Sequence, residues 1–303
     1  MTILRIETVI YGVEDLALCQ TFFEDVGLEL VSSEASLVVF RTPVNQFVHL
    51  RRLDDPALPA AVQEGSTVRE VIWGVDCEQS LDNIRAELST DRAVIEDDNG
   101  VLHSQDETGY GIGFTVAKPE AVNIVPRKYN VSGHINRLNE GVPKPYSCAH
   151  PLRLIHVAYD IPKLDRQQAN DFYTQRLHFR AIDTVRPMGT FMQCEGDIEH
   201  HNFLLCHRTD RPGINHIAFE VRDIDEVVEG GNHMNAQGWK ESRRFGRHNL
   251  GSNVFRMFQS PCGGRIEYAA DMDRMDKTFE PRVWDESPPH HHWMLKSPGS
   301  SDA

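Results

Sequence analysis

Cysteine is scarce in this sequence, long apolar runs are missing, and basic charge is in the minority. The six cysteines among 303 residues are scattered without a CxxC pair. That is too sparse for a disulfide scaffold and indicates reduced thiols in a cytoplasmic protein. No apolar stretch reaches the roughly 18 residues of a membrane-spanning helix, and the opening MTILRIETVIYG lacks the basic and apolar regions of a secretory signal.

The shortage of basic charge limits the expected partners. The 31 Lys and Arg residues face 45 Asp and Glu residues, which gives a formal net charge of -14. A surface that acidic repels phosphate backbones, so nucleic acid is not an expected partner. The length predicts one large or two ordinary domains. Histidine, in contrast, is abundant, with 15 residues, many of them between positions 148 and 216.

The sequence also repeats itself. Four short segments have the pattern of β-strands, and each precedes a helical pattern. The strand-like segments are residues 6–13, 68–75, 154–161 and 213–221, and the helices are expected at 14–26, 80–88, 163–177 and 224–237. The two segments of the first half share their pattern with the two of the second half. We therefore predict an α+β fold of four βαβββ modules.

Three residues of metal-ligand type lie on strand-like segments of the second half. His156 and His216 are each in the middle of such a segment, and Glu267 lies between apolar neighbours. A charged Glu in apolar surroundings is costly unless it is paired or bound to a metal. Two His and one carboxylate on one face of an ion are typical of a mononuclear non-haem Fe(II) site. We predict that these three residues bind a metal; the alternative is that each histidine is an ordinary core residue.

The first half serves as an internal control. The positions that match the three ligands are Thr8, Glu70 and Gly113, and these residue types cannot form the same triad. We therefore predict a structural N-terminal domain at residues 1–118 and a catalytic metal-binding domain at residues 152–273.

Two further segments complete the predicted organisation. Residues 119–151 are rich in proline and lack strong periodicity, which indicates a linker that packs on the surface. Residues 274–303 are predicted to form a polar C-terminal tail. The three histidines at positions 290–292 belong to this tail and have no predicted role.

Six motifs of the second half form a specific set. They are Leu154-Ile-His156-Val, Gly189-Thr-Phe-Met-Gln-Cys, His200-His201-Asn-Phe-Leu-Leu, Gly213-Ile-Asn-His216-Ile-Ala-Phe, Gly246-Arg-His248 and Ser260-Pro-Cys-Gly-Gly-Arg-Ile-Glu267-Tyr. Together they resemble the type I extradiol ring-cleavage dioxygenases of the vicinal oxygen chelate superfamily, especially the two-domain enzymes that open catechols and 2,3-dihydroxybiphenyl. The resemblance covers residues 152–272 one by one, and the first half in architecture alone.

The resemblance implies two vicinal oxygen chelate domains of the glyoxalase and bleomycin-resistance type, assembled into a homo-oligomer. It implies an oxidoreductase that inserts both atoms of O2 into an ortho-dihydroxylated, catechol-type aromatic, as in aromatic hydrocarbon catabolism. The implied cofactor is Fe(II), with Mn(II) as the alternative, because both ions accept the same ligands.

The resemblance also assigns roles to other residues. His201 matches the family's catalytic histidine, and His248 matches a second histidine near the metal or the substrate. Phe191 and Asn249 are candidates for contacts with the substrate. If simple strand alternation holds, His200 points away from His201 and is a packing or surface residue.

One position departs from the family pattern. Met257 stands where the family has a tyrosine whose hydroxyl bonds the metal-bound substrate oxygen. A thioether is only a weak acceptor and cannot donate a hydrogen bond. We therefore expect either an unusual or bulky diol as the substrate, with Met257 in contact with it, or a slower enzyme.

Two other functions stay open at this level. The first is a metal-dependent lyase or isomerase of the glyoxalase type, which usually draws four ligands from two modules. The second is a non-catalytic small-molecule-binding protein of the same superfamily, and such proteins lack the ligand triad. The triad in the second half and the unsuitable residues in the first half favour the dioxygenase.

Overall fold

Two mixed β-sheets, one from each half of the chain, organise the computed structural model, which describes residues 1–144, 146–162, 166–208 and 212–296. The strands of the first sheet are β1 (Ile3–Val13), β2 (Glu29–Ser33), β3 (Leu37–Arg41), β4 (Phe47–Arg52), β5 (Thr67–Val75), β6 (Ile95–Glu96), β7 (Leu102–Gln105) and β8 (Gly111–Val116). They are ordered β2-β3-β4-β1-β5-β8-β7-β6. Helix α1 (Leu16–Val26) follows β1, and helix α2 (Glu78–Leu88) follows β5.

The second sheet repeats this order and extends it at both edges. Its strands are β9 (Arg153–Pro162), β10 (Arg180–Val185), β11 (Gly189–Gln193), β12 (Phe203–Arg208), β13 (Gly213–Glu220), β14 (Glu241–His248), β15 (Val254–Gln259), β16 (Arg265–Ala270), β17 (Arg282–Trp284) and β18 (His291–Met294). They are ordered β17-β10-β11-β12-β9-β13-β16-β15-β14-β18. Helix α3 (Arg166–Asp171) runs on into a π-helical turn at Phe172–Arg176, and helix α4 (Ile224–Ala236) follows β13.

Each sheet consists of two βαβββ modules joined side by side. The first strands of the two modules pair antiparallel, β1 with β5 and β9 with β13. Within each module the last strand pairs parallel with the first. The predicted α+β fold of four modules is confirmed. The helices also lie where the repeat placed them, although residues 163–165 of the third predicted helix lie outside the described residues.

The ends of the first helix show how local sequence sets an element. The Asp15 side chain accepts a hydrogen bond from the Leu18 N–H at 2.9 Å, which caps the N-terminus of α1. Gly27 ends the helix with a φ of 95°, a left-handed conformation that favours glycine. A Cβ at this position would lie 2.1 Å from the Ala149 carbonyl oxygen, so glycine is also needed for close packing.

The two halves share one hydrophobic core, and Trp73 of β5 lies where they meet. Its ring packs edge-on against Phe179 at a centroid distance of 4.9 Å and against Phe203 at 5.8 Å. Tyr110 and Tyr159 stack across the same contact at 3.8 Å. The first half therefore forms one wall of the core on which the second sheet rests.

The C-terminal segment is part of the second sheet. Strand β17 pairs parallel with β10 at one edge, and β18 pairs antiparallel with β14 at the other. The predicted boundary at residue 273 thus separates residues that share a sheet. Strands of three and four residues are too short to show a periodic pattern, so the sequence could not reveal them.

Most described residues of the segment between the two halves are exposed, as expected for a surface linker. Residues 119–151 contain a single isolated β-bridge, Val131 with His134, among those that the structure describes. Within the described ranges, no helix combines the length and the apolar character needed to cross a membrane.

Replacing Trp73 tests the contact between the halves. Trp73→Ala removes a ring that is 1% exposed, so we expect the free energy of unfolding to fall by about 3–5 kcal/mol. Val125→Ala is the control, because Val125 is 84% exposed and its loss should change stability by less than about 0.5 kcal/mol. Urea unfolding followed by far-UV circular dichroism measures both. Equal stability of the two variants would contradict a shared core.

Candidate metal centre

Strand register brings His156, His216 and Glu267 together. Ala218 of β13 pairs with His156 of β9 on one side and with Glu267 of β16 on the other. His216 lies two residues before Ala218 in the same strand, so its side chain points to the same face as that of Ala218. All three side chains are buried. Three adjacent strands therefore deliver one ligand-type side chain each to a single point.

The three nearest ligand atoms have the spacing of a metal site. His156 Nε2 lies 2.9 Å from His216 Nε2, and Glu267 Oε2 lies 3.2 Å from His216 Nε2 and 3.6 Å from His156 Nε2. An ion about 2.1 Å from three ligands at right angles would separate the ligand atoms by about 3.0 Å. Two of the observed distances are close to this value and the third is about 0.6 Å longer, so the three residues can hold a divalent ion after a small adjustment.

Neighbouring amides fix which atoms are free for a metal. The Nδ1–H of His216 donates to Asn215 Oδ1 at 2.8 Å, which leaves His216 Nε2 as the ligand atom. Asn253 Nδ2 donates to Glu267 Oε1 at 2.8 Å. The other oxygen, Glu267 Oε2, is buried and has no hydrogen-bond partner. The same is true of His156 Nδ1. A buried carboxylate oxygen without a donor is costly, and a bound cation would supply the missing partner.

The charge states at neutral pH also suit a metal. Burial acts to raise the pKa of Glu267, but electrostatic interaction with His156, His216 and His248 holds that pKa at about 2. Burial lowers the pKa of His216 well below its usual range, and Glu267 only partly opposes this effect. An ionised carboxylate and a neutral imidazole are the forms that bind metal ions.

A cavity of about 360 Å³ opens over these three residues. This volume lies within the range of small-molecule sites. Its apolar wall consists of Met188, Phe191, Leu204, Cys206, Leu250 and Met257. Its polar wall consists of Asn215, Arg243, His248, Asn253 and His290, with the tail residues Ser287, Pro288 and Pro289 beside them. An apolar wall next to a polar end with three ligand-type residues suits an aromatic ring that carries hydroxyl groups.

The predicted catalytic histidines both line this cavity. The ring centroid of His201 lies 4.3 Å from that of His156, and Phe191 packs edge-on against His201 at 5.1 Å. His248 Nε2 lies 3.8 Å from Glu267 Oε1, and its ring stacks on Phe255 at 4.0 Å.

The two other predicted contact residues differ in position. Met257 of β15 pairs in register with Glu267 and faces the cavity. Asn249 does not line the cavity; its backbone N–H donates to the His290 carbonyl oxygen at 3.3 Å. Asn253, four residues further on, is the asparagine that reaches Glu267.

The side chain of His200 does not follow the strand alternation on which its prediction was based. This residue is fully buried, with Nε2 2.8 Å from Asp183 Oδ2 and Nδ1 3.0 Å from His201 Nδ1. The prediction that it points away from His201 is therefore wrong. Strand β12 begins at Phe203, so residues 200 and 201 precede the strand and do not follow its alternation.

A second group of histidines, His248, His290 and His291, also places three ring nitrogens within 4.8 Å of one another. It contains no carboxylate, and Arg243 Nη1 lies 2.6 Å from His290 Nε2. A guanidinium ion at that distance opposes the binding of a second cation. Among the described residues, the His156 group is therefore the better metal site.

The chain shares its fold with proteins of known structure. Residues 153–268 match the family model described as Glyoxalase/Bleomycin resistance protein/Dioxygenase superfamily. The chain is 29% identical over 271 residues to Metapyrocatechase 2 of Cupriavidus necator. The aligned region covers 86% of this chain and 79% of that protein.

Two solved structures show the extent of the likeness. A Mn(II)-bound glyoxalase from Novosphingobium aromaticivorans superposes with a TM-score of 0.74 at 22% identity, covering 95% of this chain and 89% of that one. The 2,3-dioxygenase LapB from Pseudomonas sp. KL28 superposes with a TM-score of 0.73 at 16% identity, covering 94% of this chain and 98% of that one. Both matches extend over both halves, so the predicted two-domain vicinal oxygen chelate fold is confirmed.

Metal binding to the three residues can be measured directly. Mn(II) at 100 times its Kd should raise the free energy of unfolding of the metal-free protein by about 2.7 kcal/mol. His156→Ala and Glu267→Ala each remove a ligand, so either should abolish most of this gain. His291→Ala alters only the second group of histidines and should retain it. Thermal unfolding with and without Mn(II), together with metal analysis, measures the gain in stability. If His156→Ala gained as much stability from Mn(II) as the unaltered protein, the ion would bind elsewhere.

Proposed function

We propose that this chain, whose residues 153–268 match the Glyoxalase/Bleomycin resistance protein/Dioxygenase superfamily model, is an extradiol dioxygenase. The proposed reaction opens the ring of an ortho-dihydroxylated aromatic with both atoms of O2. The observation that carries the proposal is the joint placement of a two-His-one-carboxylate set and a separate buried histidine, His201, over one partly apolar cavity. The likeness to Metapyrocatechase 2 supports the same reaction class.

The proposed cofactor is Fe(II), held by His156, His216 and Glu267. Three protein ligands leave coordination positions open for small molecules. When bound, the ion supplies Lewis acidity that lowers the pKa of a diol hydroxyl, and redox chemistry toward O2. Mn(II) remains the alternative, and a solved relative with this fold is Mn(II)-bound.

His201 is proposed as the group that takes a proton from the substrate. Burial lowers the pKa of His201 well below its usual range. The imidazole is therefore neutral at neutral pH and can act as a base. Phe191 packs against its ring and restricts its orientation. A neutral base held beside the metal ligands suits proton removal from a bound diol.

His248 is proposed to contact the substrate oxygens from the other side. Burial lowers its pKa to about 4, although Glu267 acts to raise it, so this ring is also neutral at neutral pH. Stacking on Phe255 fixes the plane of the ring. The site thus offers two neutral histidines, one on each side of the metal ligands, for donating or accepting a proton.

The glyoxalase-type alternative lacks support in the first half. A fourth ligand would have to come from a position such as Glu70, which corresponds to His216. Glu70 is buried and pairs with His103 Nδ1 at 2.8 Å within the first sheet. It is therefore committed to an ion pair away from the cavity, which favours the three-ligand site of a dioxygenase.

Oxygen uptake tests the proposed reaction. Protein reconstituted with Fe(II) under anaerobic conditions should consume O2 with at least one member of a catechol panel and form a yellow ring-opened product. His201→Ala should keep its iron but lose turnover by about 100-fold or more, because general acid–base catalysis contributes at least that much. A polarographic electrode and a spectrophotometer follow both quantities. No O2 uptake with any diol would refute the proposal, and retained turnover in His201→Ala would remove that residue from it.

Met257 can be tested as a determinant of the substrate. Met257→Tyr introduces a hydroxyl at a cavity position in register with Glu267. A hydrogen bond from that hydroxyl should raise kcat/KM for unsubstituted catechol by about tenfold. Met257→Phe is the matched control, since it adds the ring without the hydroxyl and should not increase kcat/KM. A fall in both variants would indicate instead that the substrate pocket requires the shape of methionine.

A further inference from the structure

Asp183 of β10 lies at the centre of a buried network behind His201. Its side chain is fully buried. Oδ1 accepts hydrogen bonds from Arg282 Nε at 2.8 Å and Trp284 Nε1 at 2.7 Å. Oδ2 is 2.5 Å from Arg282 Nη2 and 2.8 Å from His200 Nε2. Two of these partners, Arg282 and Trp284, come from strand β17 of the C-terminal segment.

The network keeps Asp183 ionised. Burial alone would raise the pKa of Asp183, but the hydrogen bonds from His200, Arg282 and Trp284 bring it below its usual range. The planar guanidinium of Arg282 meets both oxygens, which balances the single negative charge. Asp183 is thus a carboxylate that only accepts hydrogen bonds.

An acceptor at this position determines the tautomer of His200. Because Asp183 cannot donate, the proton of that contact resides on His200 Nε2. Because Arg282 already balances the charge of Asp183, a second positive charge on the fully buried His200 would be uncompensated and costly. His200 is therefore neutral, and its Nδ1 carries a lone pair.

The same reasoning extends to His201. His200 Nδ1 and His201 Nδ1 are 3.0 Å apart, and two lone pairs cannot form a hydrogen bond. His201 Nδ1 must then carry the proton and donate it. A neutral imidazole has a single ring proton, so His201 Nε2 is unprotonated.

We propose that Asp183 is a positioning residue: clamped by Arg282 and Trp284, it fixes through His200 the tautomer of His201 in which Nε2 is free to accept a proton. The catalytic consequence rests on the proposed function, because only a reaction that uses His201 as a base needs this tautomer. The tautomer itself does not depend on any reaction. The C-terminal strand β17 is thereby assigned to the catalytic apparatus, although it lies outside the predicted metal-binding domain.

The first test reads the tautomers without substrate. In the full-length protein labelled with 15N-histidine, long-range 1H–15N spectra should show His201 protonated at Nδ1 and His200 protonated at Nε2, with assignments from His200→Gln and His201→Gln. In Asp183→Asn the amide can donate to His200 Nε2, so both tautomers should reverse. Asp285→Asn is the matched control, since Asp285 is an exposed carboxylate of the same segment that pairs only with Arg186 among the described contacts. Unchanged histidine signals in a folded Asp183→Asn protein would overturn the proposal.

A second variant guards against failure of Asp183→Asn to fold. Arg282 is 41% exposed at the side chain, so Arg282→Gln should be tolerated. It removes the balancing charge, so His200 should take up a proton, and His201 should then become protonated at Nε2. If Arg282→Gln gave the same histidine signals as the wild type, the contact of Arg282 with Asp183 would not control the tautomer.

Turnover supplies an independent readout. With an Fe(II)-loaded enzyme and a diol that the wild type turns over, Asp183→Asn should lower kcat by about 100-fold, as expected for a base in the wrong tautomer, with KM changed less than about twofold. Iron content should be unchanged in all variants. An equal loss in Asp285→Asn, or a loss confined to KM, would contradict the assigned role. If the wild-type protein consumed no oxygen, this result would refute the proposed function alone. The tautomer signals are measured without substrate, so they would still test the role of Asp183.

Discussion

The site depends on the register between β9, β13 and β16. The antiparallel pairing of β9 with β13 and the parallel pairing of β13 with β16 set His156 and Glu267 on either side of Ala218. Side chains alternate between the two faces of a strand, so a slip of one residue would turn a ligand to the opposite face. Ala218 itself is fully buried and packs with Ile155, Ala269 and Met272. The meeting of these three ligand-type side chains is therefore a consequence of sheet geometry, and the rest of the candidate site is arranged around it.

Several of the polar side chains buried around the site are held by a defined hydrogen-bond partner. Asn215 orients His216, Asn253 holds Glu267, and Asp183 holds His200 behind His201. Glu267 Oε2 lacks a hydrogen-bond donor, and it is the carboxylate oxygen that a cation would contact. Buried polar networks are stabilising only when every member is satisfied. This requirement explains why residues remote in the sequence, including those of β17, are needed at the site.

Local patterns in the sequence were sufficient for the modules and the three ligand-type residues, because strand periodicity and a histidine within a strand are visible in short segments. The network behind His201 was not visible. Asp183 and Arg282 are 99 residues apart and meet only through the parallel pairing of β10 with a three-residue strand. His200 was misplaced because residues 200 and 201 precede β12. Contacts that depend on tertiary pairing leave no periodic signal, so the pattern of a single sequence cannot reveal them.

The first half has the same fold but lacks the three ligand-type residues, and other contacts occupy the matching positions. Glu70 and His103 form an ion pair at 2.8 Å, and His103 also lies 3.6 Å from Asp97. A Cβ at Gly113, the position that matches Glu267, would lie 2.9 Å from an Ile72 carbon and 3.2 Å from Glu70 Oε1. No room remains there for a carboxylate side chain. The Glu70 carboxylate is thus paired without a metal. The first sheet instead packs against the second half through Trp73.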